Sequence, residues 1–229
     1  MLQYIFSPRW FYGIDIVFEL FSIVVVAMIA RYGHMLYGVT HNKKHRYFSV
    51  FFLLIGIAFI FKIISNFNIY YLETGSINIE NSVFYFQTSH ISEILFTIGF
   101  SIFRFLMATA FFGLLFINWK TERGMFYLCL YFIVLITIFS HSAYFVFHIT
   151  MVVFMTGILA YYLKRNAAKT PRNMNLLLTP VAFFVLLLSQ IFFILTFMNL
   201  VMYVIGEVLQ LAGFLILMYE YVLVRRYEK

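Results

Sequence analysis

Asp15 and Glu19 stand four residues apart, as do Lys62 and Asn66. His90, Glu93, Thr97, Ser101 and Arg104 follow at steps of three and four, and so do Asn199, Tyr203, Glu207 and Gln210. On an α-helix such steps place each set on one face. The set from His90 to Arg104 would draw a polar stripe about 21 Å long. His148 closes the stretch SHSAYFVFH, seven residues after His141. Carboxyls, an ammonium, a guanidinium and imidazoles at helical spacing can bind an ion or polar ligand, relay protons, or hold a metal. Which of these applies depends on the elements that carry them, because every set is embedded in apolar sequence.

Of the 229 residues, 64% are hydrophobic, 22% aromatic and only 11% charged, and the mean hydropathy is +0.94. Soluble domains are roughly 45–50% apolar and about 25% charged. The solvent for most of this chain must therefore be lipid. The single cysteine, Cys129, excludes an internal disulfide. The first apolar run lacks a basic leader and a small-residue cleavage site, so a span is expected there rather than a removed signal. A span needs roughly 20 apolar residues, and seven are read: Trp10–Ala30, Tyr47–Phe67, Phe84–Ile117, Gly124–Phe139, Ala143–Leu163, Leu176–Phe197 and Leu200–Val224. The third is long and is expected to begin as an interfacial turn. From Gly124 to Leu163 a single helix would run about 60 Å, twice a bilayer core. The chain must turn there, and Ser140-His141-Ser142 is the polar break. His141 and His148 are then not two ligands on one rigid face.

Arg31, Lys43, Lys44 and Arg46 share one side with Lys120 and Arg123, with Lys164, Arg165, Lys169 and Arg172, and with Arg225, Arg226 and Lys229. Those are thirteen of the 16 basic residues. Basic loops stay inside. The expected fold is an all-α, polytopic seven-transmembrane-helix bundle over 1–229, in the cell membrane, with the N-terminus outside and the C-terminus inside. Anionic inner-leaflet lipid is the expected surface partner of the basic side, and nucleic acid is not, for lack of a basic domain. The outer segment 68–83, with Glu73 and Glu80, is a connector or a lid. Lys169-Thr170-Pro171-Arg172 turns the chain back before the sixth span. Spans one and five end in similar aromatic sequence followed by a basic loop, which allows a three-plus-one-plus-three repeat.

With that topology, Asp15, Glu19, His90, Glu93, His148 and Glu207 all fall in the outer halves of their helices. An ionised group at mid-bilayer costs roughly 2.5–3.5 kcal/mol, so inward-facing stripes around a shared polar cavity are expected. Asp15 and His90 can also sit at the interface, and Lys62, near the end of its span, is expected to snorkel outward. Glu19, Arg104 and Glu207 are too deep for that. Arg104 is expected to pair with Glu207 or Glu19, or to anchor an anionic group. Glu220 is read as a partner for inner-loop cations, and His34, His41 and His45 as solvated.

The candidate ligand-binding set is Glu19, Glu93, Arg104, His148, Glu207 and Gln210. For a metal, His90, His148 and Glu93 are the candidates, with zinc or haem as the alternatives. No HExxH or CxxC supports either. Retinal needs a mid-helix lysine, and the last span has none between Phe197 and Arg226. No GxSxG marks a hydrolase nucleophile. Below Arg104 the spans turn apolar, which describes a pocket with a floor rather than a pore.

The stretches AMIARYGHMLYGVTHNKKHRYFSVFFLLIGIAFIFK (27–62) and EVLQLAGFLILMYEYVLVRR (207–226) resemble seven-helix membrane modules of prokaryotic, particularly archaeal, sensor-like proteins. The resemblance lies in a basic aromatic loop and a glycine-containing last span, covers about a third of the chain, and transfers no functional residue. It implies a sensor-like role, with the signal passed to another protein. The expectation is a non-enzymatic, receptor-like protein that binds a small ligand or ion in its outer half. The alternatives are an intramembrane metal-dependent hydrolase, a proton-coupled carrier and a small subunit of a larger membrane complex.

Overall fold

The computed structural model describes residues 7–74, 82–118, 123–140, 144–167 and 178–227. These form seven α-helices, and no strand occurs among them: α1 (Ile14–Thr40), α2 (Lys43–Thr74), α3 (Ser82–Asn118), α4 (Arg123–Phe139), α5 (Tyr144–Ala167), α6 (Leu178–Ile194) and α7 (Val201–Tyr227). Helices are the only open-chain elements that satisfy their own backbone in lipid. Five of them, α2, α3, α5, α6 and α7, are long and apolar enough to cross a membrane, and the apolar part of α4, Tyr127–Phe139, is shorter. The chain is a helical membrane protein.

Helix α1 carries two stripes. Val17, Leu20, Phe21, Val24 and Met28 are exposed, while Asp15, Glu19, Ser22, Val26 and Ile29 are buried. An outer apolar stripe with an inner face of mixed polarity suits a helix with lipid on one side and protein on the other.

The packing is a ring. Helix α1 lies beside α2, α2 beside α3, α5 beside α6 and α6 beside α7; α1–α7 and α3–α5 contacts close it. Helix α4 stands outside, chiefly against α3 and α5, and most of its side chains from Tyr127 onward are exposed or half-buried. The ring is filled by Val26, Ile55, Phe59, Phe111, Met151, Met155 and Phe214. Phe59 and Phe214 meet edge-on, with centroids 5.9 Å apart. Helices α2 and α3 approach closely because Gly113 has no side chain: a Cβ there would lie 2.2 Å from the Phe51 ring.

Several boundaries differ from the sequence expectation. The first helix starts at Ile14, not Trp10, because a short 3₁₀ turn over Arg9–Phe11 and Gly13 at φ 81° intervene. It then continues ten residues past Ala30, so Arg31 and His34 are helical rather than in a loop. The turn to α2 is tight: His41 takes φ 51° and Asn42 Oδ1 accepts from the Lys44 N–H. Helix α2 runs to Thr74, seven residues beyond Phe67, and α3 is one continuous helix from Ser82 with no interfacial turn. Both extensions lack a breaker, and a helix can leave the bilayer without losing its hydrogen bonds. Residues 75–81, with Glu80, lie outside the described residues, as do His141 and Lys169-Thr170-Pro171-Arg172, and nothing is described of the Glu73 side chain. Helix α4 ends at Phe139 and α5 begins at Tyr144, so the helical run breaks where expected. The Ser140 N–H still donates to the Ile136 carbonyl, so the last turn of α4 is completed before the chain departs.

Candidate functional site

The polar level lies at the end of the ring where α1, α5 and α7 begin and α2 and α6 finish. Lys62 on α2 is its centre. Its Nζ donates to Glu19 Oε1 on α1 at 2.9 Å and to Glu207 Oε1 on α7. The three side chains are 7%, 0% and 3% exposed, so solvent screens little of this interaction. Asn66, one turn along α2, donates its Nδ2 to the same Glu19 Oε1 at 3.0 Å. Glu19 Oε2 is buried without a hydrogen-bond partner. Three aromatic rings close around the ammonium: Tyr203 at 5.6 Å, Phe103 at 5.8 Å and Phe193 at 5.8 Å from Nζ to centroid. Faces at that range attract a cation. Gly206 admits Phe193 to this position, since a Cβ there would come within 2.8 Å of its ring.

Asp15 is fully buried, not at the interface. Its Oδ1 accepts from the Ile16 N–H at 2.9 Å and the Gly13 N–H at 3.1 Å, closing the first turn of α1. It also lies within electrostatic reach of Lys62 and Glu207.

His148 adjoins this centre through Phe193, whose ring lies 5.2 Å from the imidazole and 5.6 Å from Tyr203. Its Nδ1 is hydrogen-bonded to Gln190 Oε1 on α6 at 2.8 Å. Arg104 has a different occupation. Its Nη1 donates to the Ser140 carbonyl at 2.6 Å and to Ser140 Oγ at 3.1 Å, with its guanidinium 4.4 Å from the Phe100 ring centre. It thereby ties the end of α4 to α3.

The expected ligand set is therefore partly assembled. Glu19 and Glu207 meet, but across Lys62 rather than Arg104. Lys62 does not snorkel outward. Its ammonium is held between Glu19 and Glu207, and its side chain is only 7% exposed. Gln210 is buried one turn below Glu207 on the same helix. His90 and Glu93 lie in the α3 backbone, but nothing is described of their side chains. No group of three or more metal-ligating side chains occurs among the described residues. Asn199 is not part of the α7 stripe: it precedes the helix and caps it, its Oδ1 accepting from the Val201 N–H at 2.9 Å. Glu220 accepts from the Thr179 hydroxyl and pairs with no cation among the described residues. Sequence reasoning missed the aromatic enclosure and Gln190. The signal for Gln190 was available, since it is the one amide in α6.

Chemically the centre holds two carboxyls against one ammonium, with a third carboxyl near and one carboxyl oxygen unmet. In a dry environment such an imbalance favours uptake of positive charge. Below it the ring is apolar: Phe59, Ile55 and Phe52 on α2 and Phe214 and Leu217 on α7 are all buried. No family model matches the chain, and no curated protein or solved structure is similar to it.

Proposed function

We propose that this chain is a receptor-like, seven-span protein of the cell membrane that binds a small cation in its outer half and acts through a partner protein. The N-terminus is outside and the basic end of the ring lies against the anionic inner leaflet, where the partner docks. The Glu19–Lys62–Glu207 cluster, with Glu19 Oε2 unmet, carries this reading. A cluster richer in carboxyl than in cation selects against an anion. Arg104, the other deep cation, is engaged with Ser140. The unmet Glu19 Oε2 suits a monovalent or amine cation, whose single charge one carboxyl oxygen can meet. The apolar layer below supports retention of the ligand over its passage.

The test uses purified protein in lipid nanodiscs. Its thermal stability is followed against sodium, potassium and methylammonium chloride at constant ionic strength. A ligand at 100 times its Kd stabilises by about 2.7 kcal/mol. The expected stabilisation by one of these cations disappears in Glu19→Gln and Glu207→Gln and persists in Arg104→Met. Indifference of the wild-type protein to all three cations refutes the proposal. A proton meets the same charge imbalance, so a proton-coupled carrier is the second reading. Proton flux into liposomes that is unaffected by Glu207→Gln counts against it.

A further inference from the structure

The opposite end of the ring, where α1, α3, α5 and α7 finish and α2 and α6 begin, encloses a cavity of about 660 Å³. That is the size of an ordinary small-molecule site, about 300–1,000 Å³. Its walls divide by chemistry. Leu36, Phe48 and Ile117 are apolar and half-buried, with the buried Leu114, Ile158 and Phe183 behind them. Lys44 and Arg165 stand exposed at its edge, with His45 half-buried beside them. None of these three basic side chains makes a hydrogen bond or ion pair with any described residue. The one carboxyl lining the cavity, Glu220, is turned to Thr179. Two basic side chains without an acidic partner among the described residues thus frame an opening lined by apolar side chains between the helices.

A solvated basic rim needs no apolar hollow behind it, and an apolar core needs no hollow at all. The combination matches a molecule that is anionic at one end and hydrocarbon at the other. Basic pockets between transmembrane helices at the inner surface take phosphate-headed lipids in this way. We propose that the cavity binds a phosphate-headed amphiphile, its phosphate held by Lys44 and Arg165 and its tail lying along the half-buried Leu36, Phe48 and Ile117. The inference rests on the membrane reading of the bundle, not on the cation site at the other end. Lipid occupancy would tie the α1–α2 turn to the end of α5.

The probes are three: dihexanoyl phosphatidate, dihexanoylglycerol, which lacks the phosphate, and inorganic phosphate, which lacks the tail. Each is titrated calorimetrically into the full chain in an uncharged detergent. The phosphatidate is expected to bind at least about tenfold tighter than either fragment, as a site using both ends requires. Lys44→Gln and Arg165→Gln are each expected to weaken it about fivefold, the usual worth of one basic residue near anionic lipid. Both side chains are exposed, so folding is unaffected. Leu36→Trp, which narrows the cavity without changing charge, is expected to weaken the phosphatidate and leave inorganic phosphate unchanged. Equal affinity for inorganic phosphate makes this a plain anion site and overturns the proposal. So does equal affinity for dihexanoylglycerol, or indifference to the double Lys44→Gln/Arg165→Gln change. Glu19→Gln is expected to bind phosphatidate like wild type, so failure at one end of the ring is distinguishable from failure at the other.

Discussion

Replacing Lys62 by methionine keeps the stem of the side chain and deletes its charge. Two carboxyls, Glu19 and Glu207, then face each other in a packed, dry centre. At 2.9 Å from Nζ, the attraction lost at Glu19 is roughly 6 kcal/mol for an effective dielectric of about 20. The observable cost is smaller, because the ammonium also regains its hydration when it leaves the protein. Removing one partner of a buried pair typically costs about 3–5 kcal/mol, and that is the expected destabilisation of Lys62→Met. The assay is unfolding in mixed micelles, followed by circular dichroism, for Lys62→Met and for Lys62→Met/Glu19→Gln/Glu207→Gln. The triple variant removes the uncompensated charge and is expected to recover at least about 2 kcal/mol of the loss, since a neutral buried set is tolerated better than an unpaired ion. Two results refute the reasoning. In one, Lys62→Met unfolds within about 0.5 kcal/mol of wild type, the range of an ordinary surface change. In the other, the triple variant is no more stable than Lys62→Met.

Arg104→Met leaves the Ser140 carbonyl without its charged donor and is expected to cost about 1.5–3 kcal/mol in the same unfolding assay. Arg104→Lys recovers only part of this, because one ammonium does not reproduce the guanidinium stacked on Phe100. A double-mutant cycle of His148→Phe with Gln190→Leu is expected to give a coupling of about 1 kcal/mol, with the double variant less damaged than the sum of the single ones. Gly206→Ala drives a methyl into the Phe193 ring and is expected to destabilise by about 1–3 kcal/mol; unchanged stability would show that Phe193 can yield. In a Cys129→Ser background, cysteines placed at Trp10 and at Lys44 test the topology. A membrane-impermeant maleimide added to intact cells is expected to label the first and spare the second, and the reverse pattern would invert the bundle.

Much of the fold could be read from apolar run length alone. Seven runs became seven helices, and the turn at Ser140 follows from the impossibility of a 60 Å span. The existence of a polar level was also legible, because the cost of stranded charge in lipid forces Glu19 and Glu207 to find company wherever they are. The identity of that company was not. The helices are apolar on nearly every side, so their sequences carry little information about which face turns inward. Lipid tails are as apolar as a neighbouring leucine, so burying one apolar face in preference to another gains little and leaves the helix rotation undecided. Lys62 is the clearest case: nothing in the apolar run around it says that its face of α2 turns toward α1 and α7, where Glu19 and Glu207 hold it.

The sequence by itself determined that the chain is helical and membrane-embedded. Both follow from transfer free energies that each residue carries with it. Only the tertiary structure decided that Lys62 and not Arg104 joins Glu19 to Glu207, that Arg104 ties the end of α4 to α3, and that Lys44 and Arg165 border a cavity. Those facts depend on how the helices are rotated about their axes and how far they overlap. Rotation and overlap are set by close packing between residues distant in sequence, such as Gly113 against Phe51 and Phe59 against Phe214.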